Sequence, residues 1–253
     1  MKAWEITSEV LKAMVKMAEK GGISPIEIDK MAEKKIIEFG GKSINKGYKP
    51  EWAKFPYPRV SCIGINNVIT HGIPNEVPII DGDIVTFDLG VKDKEGNCGD
   101  GAITIPIGNV EQKKARLVYY AKKVLFETIK EIRAGVDTQD LAHFIQRWVW
   151  DRGFKVNRKY AGHTIGKEMH EKPAIYNTLE PTHKYTKLVE GQQICLEIML
   201  TCGTDDIGVL APDGWTIITK DSEPSAYFEH QLEVTKEGCK ILTSHIDNNF
   251  DYY

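Results

Sequence analysis

The chain has 253 residues, 42% hydrophobic and 27% charged, which is ordinary for a soluble globular protein and sufficient for one large domain. A net charge of −3 supplies no basic field for nucleic acid, no run is long enough to span a membrane, and Met1-Lys2-Ala3-Trp4-Glu5 lacks the apolar core of a signal peptide. Five cysteines (Cys62, Cys98, Cys195, Cys202 and Cys239) contain no Cys-x-x-Cys pair and are odd in number, so a zinc ribbon and a disulfide framework are both disfavoured and a reduced, cytoplasmic protein is expected.

Residues 8–20 carry Val10, Leu11, Met14, Val15 and Ala18 at the spacing of one helical face, and Gly21-Gly22 stops them. Ser24-Pro25-Ile26-Glu27 is a capping box with proline at the first helical position, opening a second helix to about residue 39. The stretch 42–59 is irregular. Short β-rich runs follow at 60–65, 68–70, 84–91 and 102–107, with a charged, glycine-ended turn at 92–96. The order then repeats. Asn109 can cap a helix over 110–133, Asp137 or Thr138 opens another that ends near Gly153, and β-like runs follow around Val156 and His163, then at 193–200, 215–219 and 226–235. Two helices and strands, twice over, predict an α+β architecture of two similar halves meeting at a sheet. No linker or low-complexity segment interrupts the chain, so residues 1–253 read as one domain, with pseudo-repeats at about 7–107 and 109–243.

The acids carry the chemistry. Asp88 is a lone carboxylate in the apolar run Ile84-Val85-Thr86-Phe87-Asp88-Leu89, costly unless it is paired, hydrogen-bonded or bound to metal. Asp100 lies twelve residues later, where a hairpin brings it back beside Asp88. Glu197 in Ile194-Cys195-Leu196-Glu197 and Glu229 in Tyr227-Phe228-Glu229-His230 repeat the pattern. His163 and His170 flank a glycine-rich segment. If it is extended, their odd spacing puts the rings on opposite faces; if it is strand, turn, strand, both can face one pocket. Four carboxylates and one imidazole suit a pair of divalent ions such as Mn, Fe, Co or Zn, which can bind and activate a water.

Asn66-Asn67-Val68-Ile69-Thr70-His71-Gly72-Ile73-Pro74, Phe87-Asp88, Gly99-Asp100, Gly162-His163-Thr164-Ile165-Gly166, His170-Glu171-Lys172-Pro173 and Ser225-Ala226-Tyr227-Phe228-Glu229-His230 together resemble the methionine aminopeptidases of type I. The resemblance runs from about residue 8 to 243 and implies the pita-bread fold, whose two pseudo-symmetric halves, each of two helices plus antiparallel strands, surround a central sheet. It implies a metal set of Asp88, Asp100, His163, Glu197 and Glu229 holding two divalent ions (Co, Mn, Fe, Zn or Ni), with Glu229 and Asp100 bridging. It also implies Glu197 as general base, His170 as a donor to the carbonyl or oxyanion, and His71 at the scissile amide. Tyr57, Cys62, Met169 and Trp215 match a methionine pocket with His71 at its rim. The implied reaction is attack of activated water on the first peptide bond of chains whose second residue is small. Implied partners are the N-termini of nascent polypeptides, with the ribosome a candidate, no nucleic acid, no membrane and a monomeric enzyme. Departures from the family pattern are Ile198 where proline is usual, Thr164 where glycine is usual, Leu89-Gly90 after the first aspartate, and an Asp88–Asp100 spacing one residue longer. The alternatives are an Xaa-Pro aminopeptidase or dipeptidase of the same fold, and a non-catalytic peptide-binding relative.

Overall fold

The computed structural model describes residues 1–204 and 206–246. Among the described residues four helices form: α1 (Ala3–Ala18), α2 (Pro25–Glu38), α3 (Gln112–Ile129) and α4 (Thr138–Trp150). α1 starts earlier than the apolar stripe predicts, because the Glu5 carboxylate accepts the Lys2 backbone N–H at 2.8 Å and caps the helix there. α2 begins as expected, with Glu27 accepting the Ser24 N–H at 3.0 Å. α3 starts later than expected. Asn109 does not cap it, since its own N–H is tied to the Asp81 carboxylate at 2.9 Å, and Glu111 takes the cap position. Asp137 caps α4 by accepting the Gln139 N–H at 2.9 Å.

The main sheet contains β1 (Cys62–Ile65), β2 (Ile84–Asp88), β3 (Ala102–Pro106), β4 (Gly162–Thr164), β5 (Glu171–Ile175), β6 (Gln193–Glu197), β7 (Glu229–Val234) and β8 (Cys239–Ile241). Its order is β5-β4-β6-β7-β3-β2-β1, with β8 also paired to β7. Strands of the first half thus meet strands of the second where Glu229 pairs with Ala102. The run expected over 84–91 ends at Asp88. Val91–Lys92 and Cys98–Gly99 instead form a small hairpin in a separate sheet, which carries Asp100 back toward Asp88. Likewise only Ile217–Ile218 of the run 215–219 is strand, paired with Val68–Thr70 outside the main sheet.

Register sets the chemistry. Cys62 pairs with Asp88, Asp88 with Ala102, Ala102 with Glu229, and Glu229 with Glu197. Directly paired residues project to the same side of a sheet, so this rung aims three acids and one thiol at one face. Alternation sends the adjacent Phe87 and Leu196, and Leu232 three residues beyond Glu229, to the other face, where all three join the main apolar core. α1 and α3 cover that face, packing on β2 and β3, and the Phe126 ring of α3 meets the ring of His230.

Strand β4 reaches the site only because its backbone approaches β6 closely at Gly162. A Cβ there would lie 2.3 Å from the Cys195 carbonyl oxygen, a backbone atom that cannot move without breaking the ladder. Gly162→Ala is therefore expected to lose about 1–3 kcal/mol of stability, the usual cost of overpacking. Chemical denaturation should show it, and an unchanged midpoint would contradict the close approach.

Candidate metal centre

His163 on β4 pairs with Cys195 on β6, two residues before Glu197, so its ring shares the face of the acidic rung. The His163 Nε2 lies 3.5 Å from Asp100 Oδ2 and 3.9 Å from Glu197 Oε1. Its Nδ1 is 3.2 Å from the Thr164 carbonyl, which can only accept, so Nδ1 carries hydrogen. Ligand atoms of Asp100, His163, Cys195 and Glu229 all lie within 4.8 Å of one another, and all four residues are buried. Asp88 faces the same cavity as Asp100, Glu197 and Glu229 and accepts a 2.6 Å hydrogen bond from the Tyr227 hydroxyl.

Two observations fit a cation here. The buried atoms His163 Nε2 and Glu229 Oε1 have no hydrogen-bond partner. Glu197 and Glu229 are also direct cross-strand partners, an arrangement that like charges destabilise. Opposite charge among these oxygens and nitrogens relieves both costs, and the mixed carboxylate–imidazole set suits divalent transition metals.

The residues expected on the substrate side line one cavity of about 240 Å³, Tyr57, Cys62, His71, Met169, His170 and Trp215 together with Asp88, Asp100, Glu197 and Glu229. The irregular stretch 42–59 supplies one wall. Tyr57 is buried, and its hydroxyl donates to the Gly72 carbonyl at 2.8 Å and reaches the Ser61 carbonyl at 3.1 Å. Its ring meets Trp215 edge-on at 5.0 Å. His71 sits at φ +55°, a strained backbone for this residue, with its buried Nδ1 unpartnered. His170 is exposed, its ring 4.6 Å from that of His163. The segment between the two histidines thus runs strand, turn, strand, and both rings reach one pocket.

The family model of metallopeptidase family M24 matches residues 1–236. The chain belongs to metallopeptidase family M24. It is 34% identical over 244 residues to a methionine aminopeptidase of Aquifex aeolicus, covering 96% of this chain and 93% of that protein. A crystal structure of methionine aminopeptidase from Rickettsia prowazekii superposes with a TM-score of 0.86 at 31% identity, covering 96% of this chain and 94% of that one. A prolidase of Pyrococcus horikoshii shares the fold alone, at 19% identity and a TM-score of 0.74, covering 97% of this chain and 61% of that one. The fold is the pita-bread fold expected from the sequence, and the chain is a metal-dependent hydrolase by family.

Beside the acids stand two residues that the sequence did not single out, Tyr227 and Cys195. Tyr227 stands two residues before Glu229, and Cys195 two before Glu197; the period of two along a strand is the signal that could have marked them. Tyr48, Trp52, Tyr160 and Met199 line the cavity as well, but nothing in their spacing announces it. Two of the four departures from the family pattern, Thr164 and Ile198, are absorbed locally. Thr164 Oγ1 donates to the Pro173 carbonyl at 2.9 Å and accepts from Gln192, joining β4 to β5, and Ile198 is buried in the main core.

Burial among like charges shifts the acids. Asp88 is pushed up to about 7 by burial and then by Asp100; Glu197 is pushed up to about 8 by burial, against the pull of His163. Burial and then Asp100 hold Glu229 well above the usual carboxylate range. Burial lowers the His163 value, but Asp100 and Glu197 outweigh it and the imidazole is raised. The folded, cation-free chain therefore holds protons that the unfolded chain releases, and stability is lost as pH rises through these values. Burial holds His71 and His245 down to about 4, and they oppose this trend only below the ordinary histidine value. Between about pH 6.5 and 8.5 the Tm of chelator-stripped protein is expected to fall by roughly 2–4 °C per kcal/mol lost, and saturating divalent cation should flatten the slope. A Tm that is flat over this window without metal would contradict the shifted acids.

Proposed function

We propose that the protein removes the N-terminal methionine from polypeptides whose second residue is small, using two divalent ions held by Asp88, Asp100, His163, Glu197 and Glu229. The observation that carries this reading is the convergence of the acidic rung and His163 on a cavity whose other walls are Tyr57, Cys62, Met169 and Trp215. The relatives at similar length are methionine aminopeptidases by name, which supports the same reading.

When bound, the ions supply Lewis acidity and a nucleophilic water. The free amino terminus of a chain would bind beside the ion site that these carboxylates form, which confines cleavage to the end. With ions in place to displace the proton that Glu197 keeps in the cation-free protein, its Oε would accept a proton from the attacking water; the side chain is 15% exposed and reaches the cavity while still facing His163. His170 lines the cavity, where desolvation and then His163 hold it below the ordinary histidine value; this favours the neutral ring, which donates a hydrogen bond to the carbonyl as it becomes an oxyanion. His71, with its value near 4, is also neutral and meets the scissile amide through a ring nitrogen. The pocket takes an unbranched apolar side chain. A lysine would bury an unpaired charge there, and a β-branched side chain would clash with the walls.

Hydrolysis of Met-Ala-Ser against Ala-Pro and Leu-Pro peptides, with a panel of metals, tests the reading. Efficient cleavage of Met-Ala-Ser alone is expected; cleavage of the Xaa-Pro peptides with Met-Ala-Ser left intact would move the protein to the prolidase side of the family. A second expectation separates the two histidines. His170→Ala should keep its metal, measured by atomic absorption, while kcat falls roughly 10²–10³-fold, the typical value of one oxyanion donor. Loss of metal in that variant would make His170 a ligand instead.

A further inference from the structure

Residues 49–56 form a closed loop at the mouth of the cavity. Its base is pinned by the Gly47 N–H to the Tyr57 carbonyl at 2.9 Å and the Tyr57 N–H to the Tyr48 carbonyl at 2.8 Å. Inside it, the Ala53 N–H bonds the Pro50 carbonyl at 3.1 Å, and buried Ala53 packs with Tyr57, Cys62 and Trp215. The Trp215 indole N–H holds the far end by donating to the Phe55 carbonyl at 3.1 Å. Compact surface loops with joined ends are frequently functional. This one fixes Trp52 in place and leaves it 54% exposed.

Trp52 meets the edge of Trp215 at 4.9 Å and lies nearly parallel to His71, ring centroids 6.4 Å apart and planes at 23°. Trp215 walls the pocket for the first side chain, and His71 borders the scissile bond. A substrate leaving the site therefore passes His71 before it reaches the open indole. The distance of 6.4 Å corresponds to about two residues of extended chain, which brings the third residue, not the second, to Trp52. A rigidly held, half-exposed indole at a cavity mouth is an apolar surface that gains by being covered, and an aromatic side chain covers it best.

We infer that Trp52 is a specificity-determining residue, a stacking platform that gives this enzyme a preference for an aromatic or large apolar third residue. The inference rests on the methionine aminopeptidase reading for the direction in which the substrate runs.

The test compares Met-Ala-Phe and Met-Ala-Leu with Met-Ala-Gly, using metal-loaded wild type, Trp52→Ala and Trp52→Phe. Wild type should favour the phenylalanine peptide over the glycine peptide by roughly two- to tenfold in kcat/KM, the range of one aromatic pair, and the difference should lie in KM. Trp52→Ala should bring the ratio to about one, and Trp52→Phe should restore part of it. Tryptophan fluorescence then ranks binding of the same peptides to metal-free protein, so the preference is measured even if no methionine peptide is cut. A wild-type ratio near one, a ratio that survives Trp52→Ala, or equal affinities in the fluorescence titration overturns the inference. So does an equal loss on all peptides in Trp52→Ala that Trp52→Phe does not repair, because that places Trp52 in support of the loop or His71.

Discussion

Charge repulsion across one rung of the sheet is the constraint from which the rest follows. Register sets Asp88, Glu229 and Glu197 on one face, with only Ala102 between the first and second. Strands from both halves must meet for this rung to exist, so the site is a property of the junction and of neither half alone. The opposite face is apolar and covered by α1 and α3, which fixes the direction in which the acids point. Without cations these groups relieve the repulsion by keeping protons, as the raised values of Asp88, Glu197 and Glu229 show. With cations the same geometry becomes a binding site, and the strain of assembling it becomes affinity.

Around that rung the chain builds a pocket from its least regular parts. Tyr57 and Trp52 come from the stretch 42–59, Trp215 from the loop before Ile217–Ile218, and His71 from the end of the strand Val68–Thr70. Hydrogen bonds from Tyr57 and Trp215 to backbone carbonyls hold these loops to one another. The division of labour is physical. Strand register brings the acids to one face, with ligand atoms of Asp100, His163, Cys195 and Glu229 within 4.8 Å of one another, while loops shape the cavity beside them.

The acids were legible in the sequence because a charge inside an apolar β-run is costly and needs a reason; Asp88, Glu197 and Glu229 each stand out on that ground. The order of helices and strands was legible from periodicity, and the capping box at Ser24 marked α2 almost to the residue. What was not legible depends on contacts between distant parts of the chain. Asn109 looks like a helix cap until Asp81 takes its N–H, and the run 84–91 looks like one strand until its end leaves for a separate hairpin. Tyr227, Trp52 and Cys195 are ordinary residues in ordinary strands and loops, and only the register or the loop closure brings them to the site. The family resemblance supplied expected roles for Asp100, His71 and His170 that spacing alone left open.

The central claim is that the acidic rung and His163 form a site for divalent cations at the junction of the two halves. Calorimetric titration of chelator-stripped protein with Mn²⁺ or Co²⁺, repeated in buffers of different ionisation enthalpy, measures both stoichiometry and the protons displaced. The account predicts saturable binding of two ions per chain with net proton release at pH 7, and loss of at least one ion in Glu229→Ala. Binding without proton release, or wild-type stoichiometry in Glu229→Ala, would contradict it.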